Sequence, residues 1–149
     1  MTVADKLSQL YELDDYQWLE ENIKLLKAKM FHEIDLENLI EELEDLGKER
    51  KNAVESLLQQ IIRHLLMYQY WHDERERNAN HWEGEIYSFR DQLNHKLTTN
   101  LHNHLISKLD NIYDRALGYV IRKTCLSINI FPTNCPYTLA QLLDIDYLP

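Results

Sequence analysis

The chain has 149 residues, 44% of them hydrophobic, with only three Gly and three Pro. That excludes general disorder and leaves too few turn residues for an all-β domain. Residues 1–50 carry 14 Asp/Glu against 6 Lys/Arg and residues 51–149 carry 11 against 10, so nearly all of the net charge of −9 sits in the first third. This balance argues against a nucleic-acid binder while leaving room for a local basic patch, and no run approaches the ~20 apolar residues of a membrane span.

The opening Met1-Thr2-Val3-Ala4-Asp5 has neither a basic n-region nor an apolar core, so no secretory leader is expected and the chain reads as cytoplasmic. Leu7, Leu10, Tyr11 and Leu13 suggest a short helical lead-in. A helix follows from about Asp15 to Lys29, with Asp14 as N-cap and Gln17 completing a capping box. Its Tyr16, Leu19, Ile23, Leu26 and Met30 recur at spacings of three and four, which places them on one face.

Asp35 caps the longest pattern. Leu36, Leu39, Leu43 and Leu46 form a stripe, and Gly47 then looks like a helix stop. The phase argues otherwise. At about 100° per residue Leu36 and Val54 share an azimuth, and Leu43, Leu58, Ile61, Leu65 and Tyr68 fall within about 40° of it. This predicts one helix over 36–74, with two helices joined at Gly47 as the alternative. Asn80 and Glu83 form a capping box opening a helix along Trp82, Ile86, Phe89, Leu93 and Leu97. Thr98-Thr99-Asn100 interrupts it, and Leu101 to Val120 mark a last long helix to about Lys123. Residues 128–136 read as a loop whose Ile and Phe side chains dock on the bundle. Pro136 stands at a first-turn position before a short helix through Leu139, Leu142 and Leu143. The expected architecture is one all-α domain over 1–149: a bundle of four to five helices with one long central helix, a docked C-terminal loop and a short helix.

Several short motifs in order resemble a known family. They are Leu10-Tyr11-Glu12, Trp18, Glu41-Glu42-Leu43-Glu44-Asp45-Leu46-Gly47, His64-Leu65-Leu66, Trp82, Cys135-Pro136-Tyr137 and Asp146-Tyr147-Leu148-Pro149. Together they resemble the bacterial domain-of-unknown-function family twenty-nine over nearly the whole chain. The resemblance implies a small all-helical bacterial protein and carries no activity. Many members place a basic residue after the His-Leu-Leu triplet, where this chain has Met67.

Seven histidines raise the question of a metal. A di-iron bundle needs Glu-x-x-His on paired helices, but Ile61, Gln69 and Gln92 stand three residues before His64, His72 and His95. His-Glu-x-x-His is absent, and Asp91 with His95 makes at most half a site. No metal and no cofactor is therefore expected. His64, Tyr68, Trp71 and His72 gather at the end of the long helix, either as a capped aromatic core or as a pocket completed by His81 and Trp82. Arg75, Arg77 and Arg90, with Arg63, are candidates for an anion or a partner's carboxylates, although the 73–80 segment alternates in sign and neutralises itself. The serines lack a nucleophile-elbow context. Cys135 before Pro136 reads as a structural thiol, or as one activated by a helix N-terminus. Cys125 and Cys135 read as two free thiols, with a bridge between them as the alternative.

No catalytic residue is identified. The preferred reading is a non-enzymatic interaction or regulatory protein, with an unknown protein partner or self-association through whatever apolar surface the long helix leaves uncovered. The acidic 37–49 stretch is either a solvated face or a surface for a basic partner. The rival is a metal-dependent or small-molecule hydrolase with a pocket around His64, His72 and Trp82. Nucleic-acid binding through Arg75, Arg77 and Arg90 ranks last, and no membrane partner is expected.

Overall fold

The computed structural model describes residues 1–149. It is all-α: α1 (Val3–Leu13), α2 (Asp15–Lys27), α3 (Leu36–Tyr70), α4 (His72–Lys96), α5 (Thr99–Thr124) and α6 (Leu139–Leu143), with a 3₁₀ turn at Ile128–Ile130. The lead-in is a full helix of 11 residues, so the structure has five helices and the short C-terminal one. Residues 1–49 and 50–149 form two compact units.

In the first unit, Thr2 and Asp5 cap α1 reciprocally at 3.0 and 3.1 Å. Asp14 caps α2 as expected, accepting from the Gln17 N–H at 3.0 Å, but the expected capping box does not close, because the Asp14 N–H donates to the Leu10 carbonyl at 2.8 Å. Lys29 adopts a left-handed φ of 60° where the chain turns towards α3. The interior is small and unusually polar. Trp18 and Asn22, one helical turn apart, are buried together with Leu7 and Asp35. Trp18 Nε1 donates to Asp35 Oδ2 (2.9 Å), the Asp35 N–H donates to Asn22 Oδ1 (3.0 Å), and Asn22 Nδ2 donates back to the Trp18 carbonyl (2.8 Å). This closed ring fixes the α2–α3 connection, because each buried polar atom in it would otherwise lose about 1–3 kcal/mol of solvation.

The apolar stripe of α2 lies elsewhere. Tyr16, Leu19, Ile23 and Met30 are exposed, as are Leu36, Leu43 and Leu46 at the start of α3. No α3 residue before Val54 is buried.

The second unit holds the main core. Leu58, Ile61, Ile62 and Leu65 of α3 are fully buried with Leu93 of α4 and Leu105, Ile112 and Val120 of α5. Each such side chain contributes about 1.5–3 kcal/mol through removal from water.

Phase coherence through Gly47 is realised: α3 runs unbroken for 35 residues from Leu36. Its end differs from expectation. The helix stops at Tyr70, and Trp71 takes φ −92° and ψ 70° before α4 begins at His72. The 73–80 segment is thus helical, and the helix expected to open at Asn80 opens eight residues earlier. Glu83 bonds the Tyr68 hydroxyl (2.8 Å) instead of closing a capping box. Thr98 caps α5 at the predicted interruption. Beyond α5, Phe131 is buried as expected, whereas Ile128 and Ile130 stay exposed. Thr138 with Gln141, and not Pro136, opens α6 through a capping box. Cys125 and Cys135 are both free thiols.

Candidate functional site

The end of α3 forms an open cleft of about 410 Å³ in the second unit. His64, Met67 and Trp71 line one side; Glu74, Asn78, His81 and Trp82 come from α4, and Tyr119 and Lys123 from α5. Four of the six residues singled out from the sequence, His64, Trp71, His81 and Trp82, therefore converge. Trp71 stacks against Trp82 with ring centroids 5.9 Å apart and an interplanar angle of 21°. Trp82 is buried while Trp71 is only half-buried, so the pair presents one accessible indole face backed by another.

His64 has the most defined chemistry. Its Nδ1 lies 2.7 Å from the Gln60 carbonyl, which accepts only, so Nδ1 carries the proton in the neutral ring. The ring packs on Phe89 at 5.4 Å between centroids. Burial pushes the imidazole below its ordinary range; the Gln60 bond and Glu85 oppose this, and His81 and Arg63 add to it. His64 is therefore neutral near pH 7, with Nε2 a bare acceptor.

The remaining cleft charges are unevenly compensated. Glu74 holds Asn78 Nδ2 at 3.1 Å and Arg77 Nη1 at 3.9 Å. Lys123 has no carboxylate within 4.0 Å; outside the cleft lining, Arg63 stacks on the Tyr119 ring at 3.9 Å with its buried Nε unpartnered. No three of the His, Cys, Asp and Glu side chains gather as a metal-ligand group anywhere in the chain.

A family model described as "Domain of unknown function DUF29" matches residues 10–148. The chain belongs to this family. No curated protein and no solved structure matches it.

The other residues singled out in this DUF29 protein take local roles. His72 lies outside the cleft, with Nε2 bonded to the Gln69 carbonyl at 2.9 Å, and Arg75 Nη2 donates to the same oxygen at 2.8 Å. Because α3 ends at Tyr70, the Gln69 carbonyl has no helical N–H partner, and these two side chains supply one. Tyr68 is held by Glu83, with the Arg75 guanidinium 5.7 Å over its ring. Arg77 is exposed and pairs loosely with Glu74. Arg90 is 1% exposed and faces inward, so it offers no cation to a partner beside Arg75 and Arg77. Its Nε, Nη1 and Nη2 donate to the carbonyls of Leu142 (2.8 Å), Tyr147 (2.7 Å) and Gln141 (3.1 Å), which staples the C-terminal segment to α4. Cys135 is half-buried, and desolvation raises its thiol pKa, the opposite of an activated nucleophile. Sequence reasoning missed Tyr119 and Lys123; their i, i+4 spacing on α5 was the one signal that placed them on a common face.

Proposed function

We propose that this DUF29 protein is a non-enzymatic interaction protein whose first unit docks a basic amphipathic helix. The observation that carries this is the exposed apolar face of the α2–α3 hairpin. The hairpin is antiparallel: Trp18 and Asn22 meet Asp35, whereas Asp15, Tyr16 and Leu19 lie across a groove from Glu42. On α2 the stripe of Tyr16, Leu19 and Ile23 is displaced by roughly 110° from buried Trp18 and Asn22. On α3 the stripe of Leu36, Ile40 and Leu43 is displaced by roughly 150°, in the same rotational sense, from Asn38 and Glu42, which bond α1. Both stripes are exposed, and Tyr16 and Leu19 of the α2 stripe border a groove that Glu42 of α3 closes on the other side.

Tyr16, Leu36 and Leu43 are 68%, 58% and 60% exposed. Summed over the two stripes, with Leu19, Ile23 and Ile40, the exposed apolar area is on the order of 600 Å², more than scattered surface residues present. Charge selects the occupant. Residues 1–49 hold 14 Asp/Glu against 5 Lys, so a second copy meets like charge whereas a cationic helix meets complement. A helix with apolar residues at i, i+3, i+4 and i+7 and Lys or Arg around them fits the groove.

Fluorescence anisotropy with a labelled Leu/Lys amphipathic peptide tests this, against a scrambled peptide and a Leu/Glu version. The expected result is salt-sensitive binding of the Leu/Lys helix alone, weakened at least tenfold by Leu43→Lys on the exposed stripe. Equal binding of the scrambled peptide, or a dimer in sedimentation that Leu43→Lys abolishes, overturns it.

A further inference from the structure

The cleft at the end of α3 goes beyond that reading, since it lies wholly in residues 50–149 and needs no protein partner. Three chemically distinct groups border it. The half-buried Trp71 ring, stiffened by Trp82 at 5.9 Å, is a planar surface on which another ring stacks. His64 has its Nδ1 proton committed to Gln60, which leaves Nε2 to accept from an N–H or O–H. Lys123 has no ion-pair partner, while the single cleft carboxylate, Glu74, bonds Asn78 at 3.1 Å and has the exposed Arg77 guanidinium 3.9 Å away. The uncompensated charge is therefore positive.

We propose that this cleft binds a small planar aromatic carboxylate bearing a ring O–H or N–H. The ring stacks on Trp71, the carboxylate pairs with the Lys123 ammonium, and the ring donor bonds His64 Nε2. A cleft of about 410 Å³ accommodates one or two fused rings with their substituents. Neither a purely apolar ring nor an aliphatic acid uses all three groups.

The test is calorimetry and ¹H–¹⁵N spectroscopy of the full chain with 4-hydroxybenzoate, with phenol, benzoate and butyrate as comparisons. The expected result is a Kd on the order of 1 mM or tighter for 4-hydroxybenzoate, reasonable for a ligand of this size. Phenol and butyrate bind at least tenfold more weakly, and Lys123→Met on the exposed side of the cleft brings 4-hydroxybenzoate down to the phenol level. The wild-type chain supplies an independent readout, a shift of the His64 Nε2 resonance on binding. Binding that Lys123→Met leaves unchanged, no movement of the His64 ring signals, or equal affinity for phenol each overturn the assignment. Failure here leaves the peptide result on residues 1–49 untouched, because neither probe uses the other's residues.

Discussion

Replacing Arg90 by Met removes a guanidinium of similar length and apolar stem while leaving three carbonyl oxygens without donors. In the native chain those oxygens, on Gln141, Leu142 and Tyr147, receive all three guanidinium nitrogens at 2.7–3.1 Å. The Leu142 bond is buried and the other two partly so; an acceptor left unsatisfied costs about 1–3 kcal/mol, less where water reaches it, and relief of the Arg desolvation offsets part of the sum. The expected net loss is about 3–5 kcal/mol, a large share of the roughly 5–15 kcal/mol that stabilises a domain of this size. Urea denaturation followed by circular dichroism should show the midpoint falling by about 2 M, for a slope near 2 kcal/mol/M. Hydrogen exchange should rise first in residues 139–147. Arg90→Lys should recover only part of the loss, because a point ammonium does not span three acceptors held by a planar fork. A midpoint within about 0.3 M of wild type for Arg90→Met, with unchanged exchange at the C-terminus, would refute the staple reasoning.

Other outcomes follow from the same geometry. Gly47→Ala should stabilise the protein by about 0.5–1 kcal/mol in thermal melts, since the position is helical and a Cβ there meets nothing within 4 Å. Asn22→Ala opens the Trp18–Asp35–Asn22 ring and should cost about 2 kcal/mol, with Trp18 emission shifting red. His64 sits below its ordinary range when folded, so between that depressed value and about 6.5 the unfolded chain binds more protons. Stability should therefore fall as pH drops through this window, and a His64→Phe variant should show a shallower slope in denaturant titrations at pH 5 and 7. Exposed Cys125 should react with iodoacetamide at pH 8 several-fold faster than Cys135, whose thiol burial pushes up, as peptide mass mapping would read.

Periodicity announces the helices well because it reports geometry along one segment. The run through Gly47 is legible for that reason: Leu36, Val54 and Leu58 keep phase whatever stands between them. Periodicity does not say whether anything covers a stripe, so Leu36 and Leu43 look like Leu58 in sequence yet lie open where Leu58 is sealed. The break at Trp71 has no Gly or Pro to mark it, and it explains why His72 departs from the cleft expected of it. His64 precedes the break, so its azimuth on the long helix holds. His72 follows it, and the wheel that puts it on the centre line no longer applies. The polar ring of Trp18, Asn22 and Asp35 is illegible because Asp35 stands on a different segment from the other two and meets them only in the fold. Arg90 looks like a surface cation in sequence for the same reason: its acceptors lie more than fifty positions downstream.

That separation has a consequence for the order in which the chain matures. During synthesis the guanidinium of α4 emerges well before residues 141–147 exist to receive it. Until they arrive, a cation stands at the edge of a forming apolar interior with no carbonyls to accept its protons. A chain cut short before Gln141 should therefore leave the Arg90 guanidinium with none of its three acceptors, and lower stability in urea denaturation would read that loss.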